Sequence, residues 1–176
     1  MNFVPVLETS RLVMRGGLVE DFEAYAAMRQ HPAFYRYLSR EAPSPEDTWN
    51  MLLRNIAHWQ LLGYGYWAVE EKETGRFVGA VGYADNKRTL VPSLGSTPEI
   101  GWVLDPAVHG RGYASEAIEA AVKWGDSQLA QARTVCIIHP ENKASLRIAQ
   151  KFGYQTYNQV TYKETPILLL ERLRDK

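Results

Sequence analysis

Hydrophobic and polar positions recur along the chain in blocks that predict strands and helices in a mixed order. Arg11–Arg15 alternates and reads as a first strand. Val19–Gln30 carries Phe22, Tyr25, Ala26 and Arg29 at helical spacing, and Pro32 is expected to stop that helix. Ser44, Pro45, Glu46 and Asp47 open a second helix. Serine caps it, proline suits its first turn, and the acids favour the positive end of its dipole. It should run from Pro45 to Leu62 and end at Gly63. Tyr66–Glu71 and Phe77–Tyr83 read as strands, and the turn residues Glu73, Thr74 and Gly75 join them into an antiparallel hairpin. Arg88–Pro98 reads as a loop. Glu99–Leu104 is a fourth strand, ended by Asp105 and Pro106. Gly112–Leu129 is the clearest helix, with Ala117, Ile118, Ala121, Val122 and Trp124 on its apolar face. Thr134–Ile138 reads as a short buried strand. Asn142–Phe152 is a helix between an Asn cap and Gly153, and strands Gln155–Tyr162 and Pro166–Arg172 follow.

This order predicts an α+β domain built on one mixed, mostly antiparallel twisted sheet with helices on both faces. The 176 residues suit a single domain with a core large enough to need neither disulfide nor structural metal. Twenty basic residues balance twenty acidic ones, which argues against a nucleic-acid partner, since that mode needs a basic surplus. Cys136 is the only cysteine, and the four histidines form no metal-ligand spacing, so no metal is expected. A lone cysteine fits a reducing cytoplasm. No signal peptide and no membrane-length apolar run is legible.

The chemistry concentrates in Glu99–Glu116. A strand runs into Gly110-Arg111-Gly112-Tyr113-Ala114, and a helix opens at once. Small residues let backbone N–H groups approach a ligand, and the helix N-terminus adds partial positive charge, so the turn suits a phosphate or pyrophosphate. Arg111 offers further charged donors. The bland alternative is a loop that needs two glycines for its shape. The phosphate-loop pattern G-x-x-x-x-G-K-[ST] is absent. A dinucleotide fold wants a third glycine where Ser115 stands, and an acid on the next strand, which instead runs through Val135–Ile138 into His139 and Pro140.

Glu99-Ile100-Gly101-Trp102, followed by His109-Gly110-Arg111-Gly112-Tyr113-Ala114-Ser115-Glu116-Ala117, resembles the acyl-CoA motif of the GNAT N-acetyltransferase superfamily. Asn142-Lys143-Ala144-Ser145 and Lys151-Phe152-Gly153-Tyr154 resemble its second motif. Glu8–Arg15 resembles the first strand of the branch containing ribosomal-protein N-terminal alanine and serine acetyltransferases. The resemblance implies a GNAT-like fold, acetyl-CoA as co-substrate, and transfer by direct amine attack on the thioester. The backbone of Trp102, Val103 and Leu104 would pair with the pantetheine arm on a strand splayed from its neighbour. The Val103 N–H would face the thioester carbonyl. Gly110, Arg111, Gly112, Tyr113 and Ala114 would hold the pyrophosphate, with His109 standing where the family often has Gln or Arg. Asn142 would bond the pantetheine, and Ser145 would sit near the sulfur. The acceptor is either a protein N-terminal α-amine or a small-molecule amine, and the protein a monomer or homodimer.

The attacking amine must lose a proton and the thiolate gain one. Glu99, opening the splayed strand, is the first candidate base, with an exposed strand-end acid as its bland reading; His139 is the alternative. Family members often place an acidic tyrosine seven residues after the motif asparagine, where this chain has Ala149. Ser145 is the expected substitute, although a first-turn hydroxyl also caps helices. Tyr113 and Tyr154 are further donors. The missing tyrosine sustains a second reading, an acyl-CoA-binding sensor without turnover. Lys143, Arg147 and Lys151 share one helix face, either solvated or set towards the CoA 3′-phosphate. Cys136 reads as core. Trp49, Trp59, Tyr64, Tyr66 and Trp67 read as core or as an acceptor-pocket lining.

Overall fold

A computed structural model describes residues 3–37 and 41–174. Its strands are β1 (Leu7–Glu8), β2 (Leu12–Arg15), β3 (Tyr66–Glu71), β4 (Phe77–Ala84), β5 (Glu99–Leu104), β6 (Arg133–Ile138), β7 (Gln155–Tyr162) and β8 (Thr165–Leu173). They form one eight-stranded sheet in the order β1-β2-β3-β4-β5-β6-β8-β7. Every neighbouring pair is antiparallel except β5 beside β6. The helices are α1 (Phe22–Arg29), α2 (Pro32–Tyr35), α3 (Pro45–Leu62), α4 (Tyr113–Gln128) and α5 (Lys143–Lys151).

The expected α+β sheet is therefore present, with helices on both faces. One face carries Tyr25 and Met28 of α1 and Leu52 of α3 against Ala80, with Phe77, Tyr66 and Val103 beside them. The other carries Ala117, Ile118, Ala121 and Val122 of α4 and Ala149 of α5 against Val81, Tyr83, Ile100 and Cys136. Trp59, near the end of α3, reaches the second cluster and meets the rings of Trp67 and Trp124 edge-on at 4.7 and 5.4 Å. These rings bury large apolar areas in edge-to-face geometry.

Local chemistry explains most boundaries. Ser44 Oγ accepts from the Asp47 N–H at 3.0 Å, and the Asp47 carboxylate accepts from the Ser44 N–H at 3.0 Å, a reciprocal cap that starts α3. Gly63, at φ +74°, ends it. Three features depart from the expectation. Val19–Asp21 is a 3-10 turn, so α1 begins only at Phe22. Pro32 does not merely stop α1; it sits in the first turn of α2, whose extended cap residue His31 accepts from the Ala33 N–H at 3.1 Å. The two-residue β1 is too short to show a period of two and pairs only through Leu7 with Met14 and Glu8 with Val13.

Candidate active site

β5 and β6 part company almost as soon as they meet. Their only register pair is Glu99 with Val135, beside one bond from the Val135 N–H to the Pro98 carbonyl at 3.0 Å. Beyond it, β5 keeps β4 on one edge, from Glu99 opposite Ala84 to Leu104 opposite Gly79. Its other edge carries no ladder to β6. Backbone groups left unpaired in this way recruit a partner with alternating donors and acceptors. The gap lies between two cavities, one on each face of the sheet. Tyr37, Trp102, Val103, Asn142 and Ser145 line both.

The cavity of about 630 Å³ lies on the α4/α5 face. Trp102, Val103, Leu104, His109, Gly110, Gly112, Tyr113, Ala114, Asn142 and Ser145 all line it. Gly110 and Gly112 hold φ +77° and +80°, values that side-chain-bearing residues rarely adopt. No side chain caps the N-terminus of α4, so its first-turn N–H groups stay open for an anion. The His109 ring nitrogen Nε2 lies 3.1 Å from the Leu104 carbonyl, which fixes the loop's entry. Arg111 behaves differently from the expectation of a phosphate donor. Its guanidinium pairs with Glu71 at 3.0 Å and donates to the Tyr113 hydroxyl at 2.8 Å, and it does not line the cavity. Arg147 and Lys151 of the basic face do line it, whereas Lys143 bonds the Pro140 carbonyl at 2.7 Å.

Ser145 and Asn142 bridge the gap. Asn142 Oδ1 accepts from the Ser145 N–H at 3.1 Å and so caps α5. The Trp102 indole N–H donates to Ser145 Oγ at 3.3 Å across the splay. With its oxygen accepting from Trp102, the serine hydroxyl proton remains available to another acceptor. Tyr154, the other donor considered, is buried and bonded to Thr134 at 2.7 Å. The Tyr113 hydroxyl donates to Glu71. Both hydroxyls are therefore engaged, Tyr113 with Glu71 and Arg111 and Tyr154 with Thr134.

The second cavity, of about 470 Å³, lies on the opposite face. Glu99 lines it and is buried, not exposed. Both its oxygens accept from Arg88, at 2.7 and 2.8 Å. The same guanidinium lies over the Tyr162 ring, 5.2 Å from its centroid. Arg88 therefore joins the 85–98 loop, the start of β5 and the end of β7. His139 also lines this cavity, with its ring 5.4 Å from that of Tyr37. Its Nδ1 accepts from the Glu141 N–H at 3.1 Å. Arg88, Tyr37 and Tyr162 are cavity residues that sequence reasoning missed. Each comes from a loop or a strand end, where no periodicity signals orientation. Cys136 is buried, as expected, and burial pushes its thiol up.

A family model for the acetyltransferase (GNAT) domain matches residues 11–155. Among curated proteins, the uncharacterized N-acetyltransferase YoaA of Bacillus subtilis (strain 168) is 30% identical over 152 residues, covering 86% of this chain and 83% of that protein. Among solved structures, a protein described as a GnaT-family acetyltransferase from Bordetella pertussis superposes with a TM-score of 0.83 at 27% identity, covering 96% of this chain and 99% of that one. RimL, a ribosomal L7/L12 alpha-N-protein acetyltransferase in complex with coenzyme A, superposes with a TM-score of 0.77 at 17% identity, covering 96% and 98%. That last likeness is one of fold.

Proposed function

This chain belongs to the GNAT family and is an acyl-CoA-dependent acetyltransferase, and from that premise we propose that acetyl-CoA lies on the α4/α5 face while a primary amine enters from the other. The observation that carries the reading is the single register pair between β5 and β6, which opens a passage between two cavities. Acetyl-CoA supplies the activated acyl group. The open β5 edge at Trp102, Val103 and Leu104 pairs with its pantetheine arm, and the Val103 N–H steadies charge on the carbonyl oxygen. The turn from His109 to Ala114 and the open end of α4 hold the pyrophosphate through backbone N–H groups. Arg147 and Lys151 draw the remaining phosphate.

Asn142 holds the pantetheine with its amide N–H, its oxygen being engaged in the α5 cap. Ser145, oriented by Trp102, returns a proton to the departing sulfur. Glu99 is the final acceptor of the amine proton. Its pairing with Arg88 leaves one lone pair on each oxygen for that purpose. The acceptor is an N-terminal α-amine or a small-molecule amine. The fold-level likeness to RimL favours the first, and the 470 Å³ cavity, which opens to solvent, accommodates either. The whole chain works as one domain, as a monomer or homodimer, in a reducing cytoplasm.

Acetyl-CoA-dependent thiol release is the test, run across peptides with varied N-termini, polyamines, amino acids and amino sugars. Release with one class is expected. Glu99→Gln and Ser145→Ala should each lower turnover at least roughly tenfold while sparing acetyl-CoA binding. Normal rates in both variants would mean that the acid and base lie elsewhere.

A further inference from the structure

Glu99, Gly101 and Val103 share one face of β5, because side chains alternate along a strand. Backbone spacing puts Glu99 about 13 Å from Val103, too far to touch an amine attacking beside the Val103 N–H. Something must fill the middle of that line, and Gly101 has no side chain. A Cβ built on Gly101 would lie 1.9 Å from the Tyr66 hydroxyl oxygen and 3.1 Å from its Cζ. The phenol of Tyr66 thus occupies the space above Gly101.

The register shows how it gets there. Tyr66 of β3 stands opposite Gly82 of β4, and Gly82 stands opposite Gly101 of β5. A Cβ on Gly82 would lie 2.2 Å from the Gly65 carbonyl oxygen and 2.4 Å from the Tyr66 Cα, so that glycine lets β3 approach closely, while the bare Gly101 leaves room for the phenol. Tyr66 lines the 470 Å³ cavity together with Glu99. Its hydroxyl has no hydrogen-bond partner among the described residues; burial and then the Glu99 carboxylate act on it, and both push the phenol above its usual value. It therefore stays protonated at neutral pH and is free to donate. Glu99, Arg88, Tyr25 and Arg54 are the ionisable groups whose charges reach it.

We propose that Tyr66 is a catalytic residue of the acceptor side, whose hydroxyl takes a proton from the attacking amine while passing its own proton towards Glu99. The assignment rests on the acetyltransferase reading of this site. The nitrogen lone pair forms the C–N bond as the C–S bond breaks. The proton leaving nitrogen goes to the Tyr66 oxygen, the phenol proton goes through one bridging water to the Glu99 carboxylate and from there to solvent, and the thiolate receives a proton through Ser145, which solvent resupplies. The relay makes Glu99 effective from a distance and gives the bare Gly101 a purpose.

Tyr66→Phe removes only the hydroxyl and keeps the ring in its groove. With an amine that the unaltered protein acetylates, this variant should lower kcat/KM at least roughly tenfold. The KM for acetyl-CoA and the Tm should not move. The acid limb of the pH–rate profile should rise towards the amine's own pKa, about 8 for an α-amine, since turnover then follows the free-amine fraction. Gly101→Ala displaces the flexible end of Tyr66 and should give the same kinetic signature. An unchanged kcat/KM and pH profile in Tyr66→Phe overturns the proposal and leaves the acetyltransferase reading intact. A raised KM for acetyl-CoA or a lowered Tm in that variant would assign Tyr66 a structural role and overturn it as well. Silence of the unaltered protein on every amine, with acetyl-CoA bound, overturns both.

Discussion

Glu116 receives bonds from Thr9 Oγ1 at 2.5 Å, Ser10 Oγ at 3.0 Å, the Arg11 N–H at 2.8 Å and Arg11 Nε at 2.7 Å. Arg11 also donates to the Arg111 carbonyl at 2.8 Å and lies over the Tyr113 ring. The opening segment thus grips the glycine turn from behind. Burial pushes the Glu116 carboxyl up, but the bonds from Thr9, Arg11 and Ser10 outweigh it and hold the group at about 2, against an ordinary 4.5. A depressed carboxylate stabilises the fold above its ordinary pKa. That contribution should be complete above pH 4.5 and fade as pH falls towards 2. Its upper bound is about 3–4 kcal/mol, which solvent screening of this partly exposed group lowers. Glu116→Gln should lower Tm at pH 7 by several degrees and flatten the fall in Tm between pH 4.5 and 2. Identical Tm-against-pH curves for variant and parent would show that the cluster does not hold the turn. The sequence displays Glu8–Arg15 and Glu116 as parts of two motifs, and nothing in their spacing reveals that one clasps the other.

At the scale of elements, the strongly patterned segments were legible almost to the residue. Pro45–Leu62, Tyr66–Glu71, Glu99–Leu104 and Gln155–Tyr162 all carry their own start and stop chemistry. What escaped was set by tertiary contact. The 85–98 loop gives no sign that Arg88 will reach Glu99, and α2 hides behind a proline that reads equally as an end or a beginning. The splay of β5 from β6 was expected only through family resemblance, because strand patterns do not encode where a pair separates. The cap of α5 offers a clean separation of structure from chemistry. Asn142→Asp keeps an oxygen for the Ser145 N–H but removes the amide donor. The variant should keep Tm within roughly a degree, since Asp and Asn cap about equally. Its KM for acetyl-CoA should rise several-fold, by the loss of one donor and the gain of a negative charge beside the pantetheine. Steady-state kinetics alongside a melting curve reads both, and an unchanged KM would leave Asn142 as a cap alone.

Across the whole molecule, the sheet acts as a partition. The α4/α5 face presents an open helix end, a left-handed glycine turn and three cations, Arg36, Arg147 and Lys151. The opposite face presents Glu99, Arg88 and three tyrosines. Trp102 and Ser145 stand at the passage between them. The overall charge balance conceals this division, which is why composition argued against a nucleic-acid partner but did not locate the site. Tyr66 was visible only as one aromatic among several; its role appears when the register of three strands places it over Gly101. The central claim is that donor and acceptor occupy opposite faces and meet at the gap. Amide hydrogen exchange with and without acetyl-CoA tests it most directly. Protection should appear at residues 102–104, 110–116 and 142–148, with the hairpin at 162–167 unchanged. Protection of 162–167 with none at 110–116 would place the donor on the wrong face and contradict the account.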